Sequence, residues 1–137
     1  MSMKPKIITT EAFYQNLGKL FYAVAFADKR VRPEEFSKLQ ECVLEYWLDY
    51  DDLQDVFGSD ASFLIEMVFE GVEAFEEPAD EMYDAFVTYK REQPHLYTEK
   101  AKKLILDTAM AIAHSFSGLN KSELVMLGKL QLEFKNS

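Results

Sequence analysis

The 137-residue chain carries 24 acidic against 15 basic residues, a net charge of −9, and 48% of it is apolar. That apolar share excludes a disordered chain, and the acidic balance excludes nucleic acid as the partner, because binders of nucleic acid present a basic footprint. Five glycines, four prolines and one cysteine exclude an internal disulfide and a turn-rich β architecture, and point to a few long helices in a reducing compartment.

Residues 1–8 form a short basic lead-in without the apolar core of a signal peptide, so residues 9–137 are expected to make up one domain. Thr9 or Thr10 offers a hydroxyl cap to a first helix. In that helix Phe13, Leu17, Leu20, Phe21 and Val24 make one apolar stripe, ending near Asp28. Pro33 suits the first turn of a second helix, with Glu34 and Glu35 complementing its dipole and Phe36, Leu39, Val43 and Tyr46 or Trp47 as its inner face. The short connection predicts that these two helices pack as antiparallel neighbours.

The stretch from Asp49 to Asp60 is acidic, and Leu53, Val56 and Phe57 suggest a short helical turn within it. It does not match a calcium loop: Leu53 occupies the fifth position, which needs an oxygen ligand, and Gln54 the sixth, which needs glycine. Asp60 can cap a third helix, whose apolar side reads as Leu64, Met67, Val68, Gly71, Val72 and Phe75, with Gly71 kept for close helix packing. Pro78 opens a fourth helix carrying Met82, Phe86 and Tyr89. Thr98 caps a fifth, with Ile105, Ala109, Ile112 and Ala113 inside and Gly118 as its terminator. Asn120 and Glu123 make a capping box for a last helix, whose core residues are Leu124, Leu127, Leu130 and Phe134. The longest charge-free run, residues 108–120, is too short and too polar to cross a bilayer. The expectation is therefore a cytoplasmic protein with at most peripheral membrane contact.

Residues 17–43 recur, in degenerate form, 88 residues later as 105–131. Leu17 aligns with Ile105, Val24 with Ile112, Glu35 with Glu123 and Leu39 with Leu127. The fold expected is an all-α, single-domain bundle of six to seven helices built around two pseudo-symmetric helical hairpins.

Charge is segregated. Fifteen of the 24 acids lie between residues 39 and 89, a segment with no Lys or Arg. A solvated face is the plain reading. A docking face for a basic partner protein is the functional one, with Glu70, Glu73, Glu76, Glu77, Asp80 and Glu81 as its candidate residues. Tyr50 and Phe69 fall off the inferred stripes and are candidates for an aromatic component of that face. His95 and His114 are isolated, Cys42 sits on an apolar face without a histidine beside it, and no phosphate loop is present, so no catalytic residue is assigned and no cofactor is required.

The segment AFADKRVRPEEFSKL resembles the signature of TerB-like domains, the tellurite-resistance family, through Ala25, Ala27, Asp28, Val31, Pro33, Glu34, Glu35 and Leu39. Lys29 and Arg32 stand where that pattern usually has Gly and Ser, and opposite Asp28 in the second copy stands Phe116 in the ungapped alignment, or His114 if two residues are inserted. The resemblance implies the two-hairpin helical fold and a bacterial, stress-associated, non-enzymatic role. It also implies a divalent cation as an alternative, carried over onto Asp28 and Glu35 alone; the acidic residues around Asp28 add Glu34 and Glu123 as further candidate ligands. Asp28 has three readings: acceptor for the free N–H groups of the second helix, cation ligand, or partner of Lys29, Arg30 or Arg32. A homodimer is compatible with all of this.

Overall fold

The computed structural model describes residues 9–51, 53–55, 57–116 and 120–136. The expectations placed on residues 1–8, Asp52, Val56 and Gly118 lie outside the described residues. The chain forms α1 (Glu11–Ala25), α2 (Pro33–Cys42), α3 (Leu64–Ala74), α4 (Ala79–Glu92), α5 (Glu99–His114) and α6 (Lys121–Lys135), an all-α bundle. Short 3₁₀ turns lie at Ala61–Phe63 and Pro94–Leu96. No helix among the described residues is long and apolar enough to cross a membrane.

Local chemistry places the helix starts. The Thr10 and Thr98 hydroxyls accept from the N–H of Phe13 and Ala101, three residues on, at 3.0 and 3.2 Å. Asn120 and Glu123 close the expected capping box: the Asn120 side chain accepts from the Glu123 N–H at 2.8 Å, and the Glu123 carboxylate accepts from the Asn120 N–H at 3.3 Å. Each such cap stabilises by about 1 kcal/mol. Asp60 caps the 3₁₀ turn before α3 through the Ser62 N–H.

α1 is the central element. Eleven of its fifteen residues are buried, so it must be covered on several sides. α3 and α4 cover one side, α5 and α6 another. Gly18 permits the α3 contact: a Cβ there would lie 2.6 Å from the Ile65 carbonyl oxygen and 2.9 Å from Val68 Cβ. The glycine kept for close packing is thus Gly18. Gly71, assigned that role from sequence, is exposed and has nothing within 4 Å of a Cβ position.

α2 does not pack as the antiparallel neighbour of α1; it lies mainly against α5. The reason is competition for surface, since α1 is already enclosed by α3 and α4. α2 continues into a π-helical turn, Val43–Trp47, in which Leu48 N–H reaches back five residues to the Val43 carbonyl at 2.8 Å. The wider turn offsets the angular drift of four-residue spacing, so Leu39, Val43 and Trp47 all point inward. The Trp47 indole N–H donates to Thr108 Oγ1 on α5 at 3.1 Å.

Several residues sit on the other side from where their spacing suggested. Phe69 and Tyr50, offered for the surface, are core residues, Phe69 stacking obliquely on Phe36 and edge-on to Tyr22. Met67, Phe75 and Leu124, read as core, are exposed. α3 gathers Glu66, Glu70 and Glu73 on one narrow face and is apolar over the rest, a wider arc than one core contact covers, so spacing alone does not choose which part of that arc turns inward. The expected helical turn around Leu53 and Phe57 is instead an irregular loop: Asp55 accepts from the N–H groups of Phe57 and Ser59, Gln54 and Asp60 form an isolated bridge, and Phe57 is 89% exposed.

The internal repeat is longer than the sequence comparison indicated. At the same offset of 88, Thr10 and Thr98 are both N-caps, Glu11 and Glu99 both begin helices, and α2 and α6 begin at Pro33 and Lys121. Packing follows the same exchange. α2 of the first hairpin rests on α5 of the second, α6 lies between α5 of its own hairpin and α1 of the first, and α1 and α5 meet between them.

Candidate functional site

That exchange brings the two hairpin turns together. Asp28 lies in the turn after α1, followed by Lys29 in the left-handed region at φ 68°. Asp28 accepts from three donors: the Arg30 backbone N–H at 3.2 Å, Arg32 Nη1 at 2.9 Å and Asn120 Nδ2 at 2.8 Å. Of the three readings of this residue, the structure shows the arginine pairing. It adds a partner 92 positions away that local spacing could not indicate. The Arg32 guanidinium also lies 4.6 Å from the centre of the Phe116 ring, so its faces and edges are held by Asp28 and by the residue aligned with Asp28 in the repeat. The hydrogen bond to Asp28 raises the Arg32 pKa further and keeps the guanidinium charged.

Beneath this pair, Glu35 and Glu123 are almost fully buried, at 1% and 2% exposure. They are the third residues of α2 and α6, and each accepts the N–H of the residue just before its own helix, Arg32 and Asn120. Arg32 has no side-chain oxygen to return the cap, so the Glu35 N–H bonds to the Arg32 carbonyl at 2.9 Å. The pseudo-symmetry places the two carboxyl groups against each other. Burial first, and the hydrogen bond with Glu123 second, push Glu35 far above the ordinary carboxylate range. Glu123 Oε2 is buried with no donor among the standing hydrogen bonds. A proton on Glu35 supplies that donor.

The donor set does not suit the divalent cation implied by the resemblance. Both oxygens of Asp28, Glu35 Oε1 and Glu123 Oε1 already accept hydrogen bonds. Arg32 brings its positive charge to within 3.8 Å of Glu35. A hard cation takes six to eight oxygens, and this cluster leaves roughly two, shared with a proton. Glu34 is exposed on the first turn of α2 and outside the cluster. Among the described residues, no group of three or more His, Cys, Asp or Glu side chains is arranged to hold a metal ion. Burial pushes the Cys42 thiol up to about 11, which leaves it protonated and unreactive at neutral pH.

The six acids assigned to a partner face fall on the corner formed by α3 and α4. Glu70, Glu76, Asp80 and Glu81 are exposed, and Glu73 and Glu77 partly so. Sequence reasoning missed what lies between them. Met67, Gly71, Ala74 and Phe75 form an outward stripe on α3 at helical spacing, with Met67 61% and Phe75 81% exposed. Glu70 and Glu73 border a shallow cavity of about 330 Å³ whose other wall is Val31, Pro33 and Phe36. Burial, with the neighbouring Glu70 charge, raises the Glu73 pKa. The available signal was that α3 carries two apolar stripes, only one of which a single core can use.

Comparison with protein-family models, with curated proteins and with solved structures found no match.

Proposed function

We propose that this chain is a non-enzymatic interaction module of TerB-like type that holds a basic, apolar segment of a partner protein on the acidic α3–α4 corner. The observation that carries the reading is the exposed stripe Met67, Gly71, Ala74 and Phe75, flanked by Glu70, Glu73 and Glu76. Large apolar side chains left mostly exposed are unfavourable in water and mark contact surfaces when they lie together. Gly71 and Ala74 allow a partner backbone to come close, and Phe75 and Met67 supply anchors on either side. The surrounding carboxylates select positive charge and speed encounter. The stress-associated, cytoplasmic setting rests on the signature around Asp28 and on the single buried thiol.

The test is capture of interacting proteins, and of a synthetic basic amphipathic helix, by the purified chain and by two variants. Phe75→Ala should weaken binding by about tenfold, the cost of removing one anchor. Reversal at Glu70, Glu73 and Glu76 to Lys should abolish it, and binding should fall as salt rises. Binding that is insensitive to salt and to both variants would remove the proposal.

A further inference from the structure

A second surface has the opposite sign. A groove of about 590 Å³ opens where the end of α1, the start of α4 and the outer face of α6 meet. Its floor is apolar, formed by Phe26, Ala79, Val125 and Met126. Its rim carries Lys29, Lys121 and Lys129, with Asp80 as the one acid. Lys29 and Lys121 are exposed and form no ion pair among the described residues, and Lys129 lies over the Tyr83 ring at 5.5 Å. In a chain of net charge −9, three lysines around one apolar floor are a local reversal of field. The first residues of α4 and α6, Ala79 and Lys121, line the same groove, so the positive ends of both helix dipoles add to it.

The apolar surface continues beyond the groove. On α6, Val125, Gly128 and Leu132 follow one another at helical spacing on the face opposite the buried residues Leu127 and Leu130. Val125 and Leu132 are 56% and 60% exposed, and Gly128 leaves open space above its backbone. The stripe from Val125 to Leu132 runs about 10 Å along the helix, the length of two turns of an opposing helix. A small ligand would occupy the groove and leave the stripe wet.

We infer that this groove and the α6 stripe receive an acidic amphipathic helix from a partner protein, its apolar residues on Val125 and Leu132 and its carboxylates on Lys29, Lys121 and Lys129. The surface is separate from the Met67–Phe75 stripe, carries the opposite charge, and stands or falls independently of it. The probe is a fluorescein-labelled synthetic helix with Leu at positions i, i+3, i+4 and i+7 and Glu on its flanks, titrated by anisotropy against the full chain. Saturable binding is expected. It should weaken by at least about tenfold in the Lys29→Glu/Lys121→Glu/Lys129→Glu variant and on raising salt from about 0.05 to about 0.3 M. Val125→Asp should weaken it similarly, and the Glu70, Glu73 and Glu76 reversals should leave it unchanged. Circular dichroism checks that each variant is folded; all these positions are on the surface. Absence of saturable binding up to about 1 mM, equal binding of a scrambled peptide, or undiminished binding in the lysine variant would overturn the inference. So would sedimentation showing that the same lysines and Val125 serve a dimer of this chain that excludes the peptide.

Discussion

Replacing Glu35 by Gln tests the buried carboxyl pair directly. In the folded chain Glu35 takes up a proton far more readily than in the unfolded chain, its pKa rising from 4.5 to about 8 through burial and contact with Glu123. The folded state therefore binds more protons than the unfolded state between about pH 4.5 and 8. Stability from this group is complete below pH 4.5 and is lost as pH rises towards 8. A shift of three to four units at about 1.4 kcal/mol each sets a ceiling of about 5 kcal/mol; side-chain relaxation and water entry reduce the working expectation to about 2 kcal/mol. Gln keeps the shape, keeps an oxygen for the Arg32 N–H, and places an amide N–H towards Glu123 Oε2 at every pH. Glu35→Gln should match the natural chain near pH 5 and exceed it near pH 8.5 by about 2 kcal/mol, a rise in Tm of about 6 °C for a chain of this size. Urea unfolding across that range, followed by the fluorescence of the single, fully buried Trp47, measures it. Taking the difference between variant and natural chain cancels the other titrating groups. A flat difference curve, or a variant less stable at pH 8.5, would refute the assignment of the proton to Glu35.

Other outcomes follow from the same structure. Gly18→Ala should cost about 2 kcal/mol, because its methyl group meets a backbone carbonyl that cannot rotate away, whereas Gly71→Ala should stabilise by about 1 kcal/mol through helix propensity; thermal melts of the pair compare them. Glu133→Ala should cost about 3 kcal/mol in denaturant titrations, since it removes the carboxylate that Lys90, 3% exposed, bonds at 3.2 Å and leaves the ammonium only the longer 3.4 Å bond to the residue 133 carbonyl. Arg91 and Lys90 hold the Glu133 pKa low, so its contribution should be present above about pH 4.5 and disappear as pH falls below that value. Arg32→Ser removes the guanidinium from Asp28 and Glu35, so calcium or manganese should raise the Tm of that variant more than that of the natural chain; equal shifts would show that Arg32 does not occupy the cation position.

The hairpin turns show where sequence reading ended. Asp28 was legible as a residue needing a partner, and Glu35 and Glu123 as first-turn acids in matching copies of a repeat. Their meeting was not legible, because it depends on α2 crossing to α5 and on α6 reaching α1 as well as α5. Arg32 looked like a departure from a cap. In the fold it is the charge that pairs Asp28 and touches Phe116, its neighbour from the other copy.

Several helix starts are written locally in the chain. Thr10, Thr98 and the Asn120–Glu123 pair bond to N–H groups within three residues, so four consecutive residues suffice to specify each cap. The all-α class and the repeat follow from spacing in the same way. Tertiary structure alone decided which faces turned inward. α3 could have buried either stripe; the close approach at Gly18 brings Ile65 and Phe69 onto α1 and leaves Met67 and Phe75 in water. α6 likewise buries Leu127 and Leu130 and leaves Leu124, Val125 and Leu132 outside. The physical reason is that capping is a local hydrogen bond, whereas burial is a competition among all helices for a limited interior, settled only when every helix is in place.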